Sequence, residues 1–122
     1  MTSILLKNAA AILPDKILEN ANLLIESGRI AEISTENLNA DKIIDLDNKI
    51  LYAGFVDVHN HGAVGVDTNV ATVDEFIEVG KFLAENGVTA WLPTFVPDSD
   101  ENYRKQIETL EKVREIQQNL PV

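Results

Sequence analysis

The chain contains no cysteine. Disulfides, thiolate metal sites and cysteine nucleophiles are therefore excluded. Basic residues are scarce: 10 Lys and Arg face 20 Asp and Glu, for a formal charge of −10. No Lys/Arg block interrupts that acidity, so neither nucleic acid nor an anionic membrane surface is an expected partner. No apolar run approaches the ~20 residues that span a bilayer. The start, Met1 to Lys7, lacks a charged segment followed by a long apolar core, so a secretory signal is not expected. Cytoplasmic location is the corresponding expectation. There is one Trp and there are only two His, which makes the position of those two informative.

What is present is a globular composition. The 122 residues are 45% hydrophobic with a mean hydropathy of −0.03, enough for one ordinary domain with a real core. Ser3 to Leu13 reads as a strand closed by Pro14-Asp15. Asn22 to Glu26 and Ile30 to Ser34 read as a β-hairpin about the turn Ser27-Gly28-Arg29. Lys42 to Leu46 is a fourth predicted strand, followed by the turn Asp47-Asn48-Lys49 and by Ile50-Leu51-Tyr52. Residues 1–53 thus form an all-β unit with no residues for chemistry, and a structural platform is expected.

At Gly54 the pattern changes. Phe55 to His61 reads as a strand. Thr72-Val73-Asp74-Glu75 has the form of a capping box, and Val73, Phe76, Ile77, Gly80, Leu83 and Ala84 follow at helical spacing. Asn86-Gly87 is a helix stop. Val88 to Leu92, ended by Pro93, has the low polarity of a strand buried on both faces, with Trp91 in the core. Asp98 or Ser99 caps a second helix whose predicted stripe is Tyr103, Ile107, Leu110, Val113 and Ile116, ending near Asn119 before Pro121-Val122. The order strand, helix, strand, helix argues for α/β architecture with a parallel sheet. Two such units do not close a sheet, and an eight-stranded barrel takes ~250 residues. A piece of a longer protein is the expectation.

The two histidines lie in Gly54-Phe55-Val56-Asp57-Val58-His59-Asn60-His61-Gly62. With period-two alternation, Phe55, Asp57, His59 and His61 share one face. Two imidazoles side by side at a strand end suit a metal ion, because neutral imidazole offers a lone pair without costly deprotonation. Zinc sites need at least three protein ligands, so two are insufficient. Asp57, one step deeper, is a candidate supporting residue that orients a ring or shapes the strand end. Gly62 and Thr94 are candidate substrate contacts. Hydrogen-bonded surface or core histidines, a simple turn at Gly62 and a turn residue at Thr94 are the plain alternatives. Glu75 and Glu78 lie on the predicted helix, with no reason to join the site.

The segment 54–62 resembles the first barrel strand of the amidohydrolase superfamily, where Gly-Phe-(Ile/Val)-Asp-x-His-x-His supplies two metal ligands. His61-Gly62-Ala63-Val64-Gly65-Val66-Asp67 and Asn86-Gly87-Val88-Thr89-Ala90-Trp91-Leu92-Pro93-Thr94 narrow this to a resemblance to the N-acetylglucosamine-6-phosphate deacetylases. The superfamily often has Pro before the first glycine, where this chain has Ala53. The resemblance implies part of a small β-sandwich over residues 1–53, then the first two β/α units of an incomplete (β/α)8 (TIM-type) barrel over residues 54–122. It implies metal-dependent hydrolysis of N-acetylglucosamine 6-phosphate to glucosamine 6-phosphate and acetate, in amino-sugar metabolism. His59 and His61 match the metal ligands and Asp57 a supporting position. The metal is divalent: zinc first, with iron or manganese as alternatives. The family's glutamate, its later histidines and its catalytic aspartate lie on later strands, so the general base is expected beyond residue 122 and these residues are expected to be inactive alone. The partner implied is an amino-sugar phosphate. An open two-strand parallel edge adds an expectation of self-association. Two other readings stand beside this one: another amidohydrolase, dihydroorotase-like or imidazolone-hydrolase-like, and a non-catalytic structural or assembly module.

Overall fold

The structure, a computed structural model, describes residues 2–117. The expected helix end near Asn119 and the closing Pro121-Val122 lie outside the described residues. The chain divides after Ala53 into two compact units.

The first unit is one five-stranded mixed sheet. Its strands are β1 (Ile4–Ile12), β2 (Ile17–Glu26), β3 (Arg29–Ser34), β4 (Lys42–Asp45) and β5 (Ile50–Leu51). The order is β3-β2-β1-β4, and β5 also pairs with β1. β1 and β2 are antiparallel, and so are β2 and β3, whereas β4 and β5 run parallel to β1. Period-two alternation buries Leu5, Ala9 and Ala11 of β1 with Ala21 and Leu23 of β2. The hairpin expected over Asn22–Ser34 is present, with Ser27 and Gly28 both at positive φ (52° and 74°). Such a turn matches the twist of the flanking strands. β2 begins at Ile17, five positions before the predicted Asn22. The cause is a second hairpin, in which Leu13 N donates to Lys16 O at 2.9 Å and Ile12 pairs with Ile17. Proline at position 14 ends one strand and also turns the chain into the next.

The second unit holds β6 (Phe55–Asn60), α1 (Val73–Glu85), β7 (Val88–Pro93) and α2 (Asp100–Ile116). β6 and β7 are parallel neighbours, so the expected strand–helix–strand arrangement is present. The capping box forms as its residues dictate: Thr72 N and Oγ1 donate to Glu75 Oε2 at 2.7 and 2.8 Å, and Glu75 N donates back to Thr72 Oγ1 at 3.4 Å. α1 buries Phe76, Val79, Gly80 and Leu83, and Phe76 lies against Trp91 with ring centroids 6.2 Å apart.

Two expectations fail here. β7 is not buried on both faces, since Thr89, Ala90 and Leu92 are exposed, as are Val56 and Val58 of β6. A two-stranded sheet has too few neighbours to cover a second face. The buried residue of α2 is Gln106 and not Ile107, which is exposed. Tyr103, Gln106, Leu110 and Val113 form an equally regular 3-4-3 stripe, and the helix presents that one inward.

Gly54 explains the close approach of the strands. A Cβ there would come within 2.1 Å of the Thr89 side chain.

Candidate functional site

In parallel α/β structures, ligands collect outside the carboxyl ends of the strands. The carboxyl ends of β6 and β7 carry Asn60, His61 and Thr94, and their geometry is set by a dense set of short bonds. Thr94 N donates to Asn60 O at 2.8 Å, and Asn60 N donates to Thr94 Oγ1 at 3.2 Å. The Thr94 hydroxyl donates in turn to Leu92 O at 3.2 Å.

The two imidazoles converge. His59 Nε2 and His61 Nε2 are 3.0 Å apart, with ring centroids 4.8 Å apart at 80°. His61 Nδ1 lies 2.9 Å from Thr94 O. A carbonyl only accepts, so Nδ1 carries the hydrogen and Nε2 of the neutral ring keeps its lone pair. His59 Nε2 is then the donor across the 3.0 Å contact. With both rings neutral, the contact requires opposite tautomers.

Two Nε2 atoms at this spacing suit a metal once His59 carries its hydrogen on Nδ1. Two nitrogens at ~2.0–2.1 Å from zinc sit about 3.3 Å apart at a tetrahedral angle and about 2.9 Å apart at a right angle. The observed spacing lies between those values. The carbonyl behind His61 is the kind of partner that orients a ligating imidazole. Among the described residues, however, no His, Cys, Asp or Glu completes a group of three that would hold an ion.

Asp57 does not reach a ring. Its Oδ1 accepts from His59 N at 3.2 Å and its Oδ2 accepts from Asn60 Nδ2 at 2.8 Å. Those bonds, the Asn60 amide foremost, hold the Asp57 carboxyl below its ordinary range. Asn60 Oδ1 then accepts from Gly62 N at 2.7 Å. Asp57, Asn60 and Gly62 therefore form a relay that bends the chain as β6 ends. The ladder to β7 shifts register between Asp57 and Asn60, which is where strict alternation breaks and lets Asn60 turn back on Asp57.

Gly62 and Thr94 take up their places in this bend. Gly62 has φ of +119°, and a Cβ on it would sit 2.0 Å from Val66 O. The backbone that Gly62 admits is thus that of its own loop. Thr94 serves through its backbone carbonyl and its hydroxyl, both already bonded.

The loops beyond the strands contain residues that sequence reasoning did not single out. Thr68 is fully buried; its hydroxyl donates to Thr94 O at 2.6 Å and its N–H to His61 O at 3.0 Å. Asn69, also buried, accepts from Val96 N at 2.9 Å and donates to Val96 O at 3.1 Å and Asp98 Oδ2 at 3.3 Å. Asn102 Nδ2 donates to Asn69 O and Asp98 Oδ2, each at 2.8 Å. The Ser99 amide, the Asn69 side chain and the Asn102 side chain hold the Asp98 carboxyl below its ordinary range. This network ties the loop after β6 to the loop after β7. Thr and Asn are ordinary loop residues in sequence, and the only local signal was the polar Asp67-Thr68-Asn69 cluster after an apolar stretch.

No protein-family model matches the chain. Among curated proteins, it is 27% identical over 103 residues to N-acetylglucosamine-6-phosphate deacetylase of Bacillus subtilis (strain 168), covering 82% of this chain and 26% of that one. It is 38% identical over 74 residues to the Danio rerio N-acetylglucosamine-6-phosphate deacetylase, covering 58% of this chain and 18% of that one. Among solved structures, it is similar to a D267A mutant of the Mycobacterium smegmatis N-acetyl-D-glucosamine-6-phosphate deacetylase in complex with N-acetyl-D-glucosamine-6-phosphate. That likeness has a TM-score of 0.78 at 25% identity, over 94% of this chain and 30% of that one. Dihydroorotases match as well: that of Pediococcus pentosaceus is 41% identical over 59 residues, 48% of this chain and 14% of its own, and that of Fusobacterium nucleatum subsp. nucleatum is 33% identical over 114 residues, 88% of this chain and 26% of its own. The chain resembles the N-terminal portion of N-acetylglucosamine-6-phosphate deacetylases in the amidohydrolase superfamily. It spans between 14% and 26% of the length of these curated relatives.

Proposed function

We propose that these residues are the entry portion of a metal-dependent amidohydrolase that removes the acetyl group of N-acetylglucosamine 6-phosphate, giving glucosamine 6-phosphate and acetate. The observation that carries the reading is the convergence of His59 Nε2 and His61 Nε2 to 3.0 Å, in a chain whose relatives include deacetylases of that name. On this reading residues 1–53 belong to a small β-sandwich, and residues 54–122 are the first two β/α units of a (β/α)8 barrel.

His59 and His61 hold a divalent ion through Nε2, zinc first, with iron or manganese as alternatives. Bound there, such an ion would supply Lewis acidity toward the amide carbonyl and toward a water. To serve as a ligand, His59 carries its hydrogen on Nδ1 instead of Nε2. Asp57 supports the site by fixing Asn60 and the His59 amide. Thr94 orients His61 through its carbonyl, and Gly62 shapes the loop beside it; both lie at the strand ends where a sugar phosphate would dock. The remaining ligands and the general base come from outside residues 1–122. Two imidazoles supply neither the third protein ligand nor the base, so these residues alone are inactive. Among the described residues, no helix is long and apolar enough to cross a membrane, in keeping with a cytoplasmic enzyme acting on a phosphorylated sugar. Exposed Val56, Val58 and Leu92 on a sheet of only two strands favour self-association of the 122 residues in isolation.

The test uses the whole polypeptide encoded by the reading frame that contains these residues. Acetate release from N-acetylglucosamine 6-phosphate is expected, abolished by a chelator and restored by zinc, iron or manganese. His59→Ala and His61→Ala should each remove most of the bound metal. Turnover of dihydroorotate in place of the amino sugar would overturn the substrate assignment, and unchanged metal stoichiometry in either variant would overturn the ligand assignment.

A further inference from the structure

We propose that Thr68 is a positioning residue for His61, holding the Thr94 carbonyl so that it accepts the His61 Nδ1–H and leaves Nε2 as a lone pair facing His59. Its consequence for metal affinity rests on the ligand role given above to His61; its effect on the ring does not.

The argument starts from the carbonyl. A backbone carbonyl has two lone pairs. At Thr94 one receives the Thr68 hydroxyl at 2.6 Å and the other the His61 ring at 2.9 Å. Thr68 grips His61 a second time, since its own N–H donates to His61 O at 3.0 Å. One residue thus anchors both the main chain of His61 and the acceptor of its ring. Thr68 is fully buried while His61 itself is exposed. The fixed end of the arrangement lies inside the unit and the working end lies in solvent.

Burial gives Thr68 its leverage. A buried hydroxyl has few alternative partners, so its bond is held in one geometry. His61 sits just past the end of β6, and among the described residues its own N–H and C=O make no ladder bond to β7. An exposed imidazole there would sample both tautomers and several rotamers. The two bonds from Thr68 replace the constraint that the strand no longer provides. Among the described residues His59 has no such carbonyl, and its ring contact runs to His61. The pair is therefore asymmetric, with His61 set in advance and His59 adaptable.

The test is the imidazole nitrogen spectrum of the metal-free protein, with ¹⁵N-labelled histidine, together with titration by zinc ion. The wild-type protein should show His61 as the Nδ1–H tautomer. Thr68→Val keeps the shape and removes the hydroxyl; it should produce a mixture of His61 tautomers and weaken zinc binding by about 10–100-fold, the usual effect of losing a group that orients a ligand. Thr68→Ser should restore both. A wild-type His61 carrying its hydrogen on Nε2 overturns the proposal whether or not any variant folds. So does a folded Thr68→Val protein with an unaltered His61 tautomer, or a Thr68→Ser protein that behaves like Thr68→Val. If His61→Ala retains its zinc while Thr68→Val still mixes the tautomers, the ligand assignment fails and the positioning role stands.

Discussion

Asn60 and Thr94 clasp the carboxyl ends of β6 and β7 through two bonds, one from each residue to the other: Thr94 N to Asn60 O at 2.8 Å and Asn60 N to Thr94 Oγ1 at 3.2 Å. The first is backbone to backbone and survives any substitution that leaves residue 94 an N–H. The second depends on the hydroxyl. Thr94→Val should therefore leave the strands paired and strip the Asn60 amide of its acceptor, at a cost of about 1–3 kcal/mol. Amide hydrogen exchange checks this: the Asn60 N–H should lose protection while the Thr94 N–H keeps most of its own.

Gly62 and Gly65 separate two reasons for glycine within one loop. Both have positive φ, +119° and +85°. A Cβ on Gly62 would collide with Val66 O at 2.0 Å, whereas one on Gly65 meets nothing within 4 Å. Gly65→Ala should lose only the backbone preference, about 1–2 kcal/mol. Gly62→Ala adds a clash with main chain, which cannot rotate away as a side chain can, and should lose about 2–4 kcal/mol. Denaturant unfolding of the two variants should rank them in that order.

Gln106 is buried to 1% exposure, and among the described residues neither its Nε2 nor its Oε1 has a hydrogen-bond partner. An unsatisfied buried amide costs about 1–3 kcal/mol, and an apolar replacement of similar shape removes that cost. Gln106→Met should therefore leave the unfolding midpoint unchanged or raise it, unlike most substitutions of buried residues. A lowered midpoint would show that the amide has a partner in solution, such as an ordered water.

Asp45 lies in the first unit. The Asp47 amide, the Asn8 side chain and Lys7 bring its carboxyl down from 3.8 to about 2. A group whose folded pKa is depressed contributes stability above its unfolded pKa and loses it as pH falls through the folded value. The contribution of Asp45 should thus be complete above about pH 4 and vanish toward pH 2. Asp45→Asn should flatten the acid limb of the stability curve in that window and leave it unchanged in shape above pH 5. Side-chain carboxyl NMR titration of the wild-type protein gives the direct check.

Much of the local structure was legible because each signal acts over a few residues. Thr72 and Glu75 announce a capping box through their own spacing, and they form it. Ser27-Gly28 announces a hairpin turn because few residues tolerate positive φ. The strand carrying His59 was legible from its β-branched run, but it ends at Asn60, one residue short of the expected His61, and a register shift within it means that period two alone does not account for the convergence of the rings. Errors arose where two patterns were equally regular. On α2, Ile107 and Gln106 each complete a helical stripe, and hydrophobicity alone chose the wrong one. At Pro14 a strand stop was also a hairpin turn, so β2 was placed too late.

The sequence by itself determined the order of strands and helices, the caps, and the pairing of His59 with His61 at a strand end, since all of these depend on spacing along the chain. Only the tertiary structure decided what surrounds that pair. Thr68 lies seven positions after His61, and Thr94 lies 33 positions after it, yet both bond to it. The direction of Asp57, toward Asn60 and not toward a ring, depended on a register shift against β7. Contacts of this kind are made when the parallel partner strand arrives, and no periodicity within either segment encodes which of its hydroxyls and carbonyls will meet.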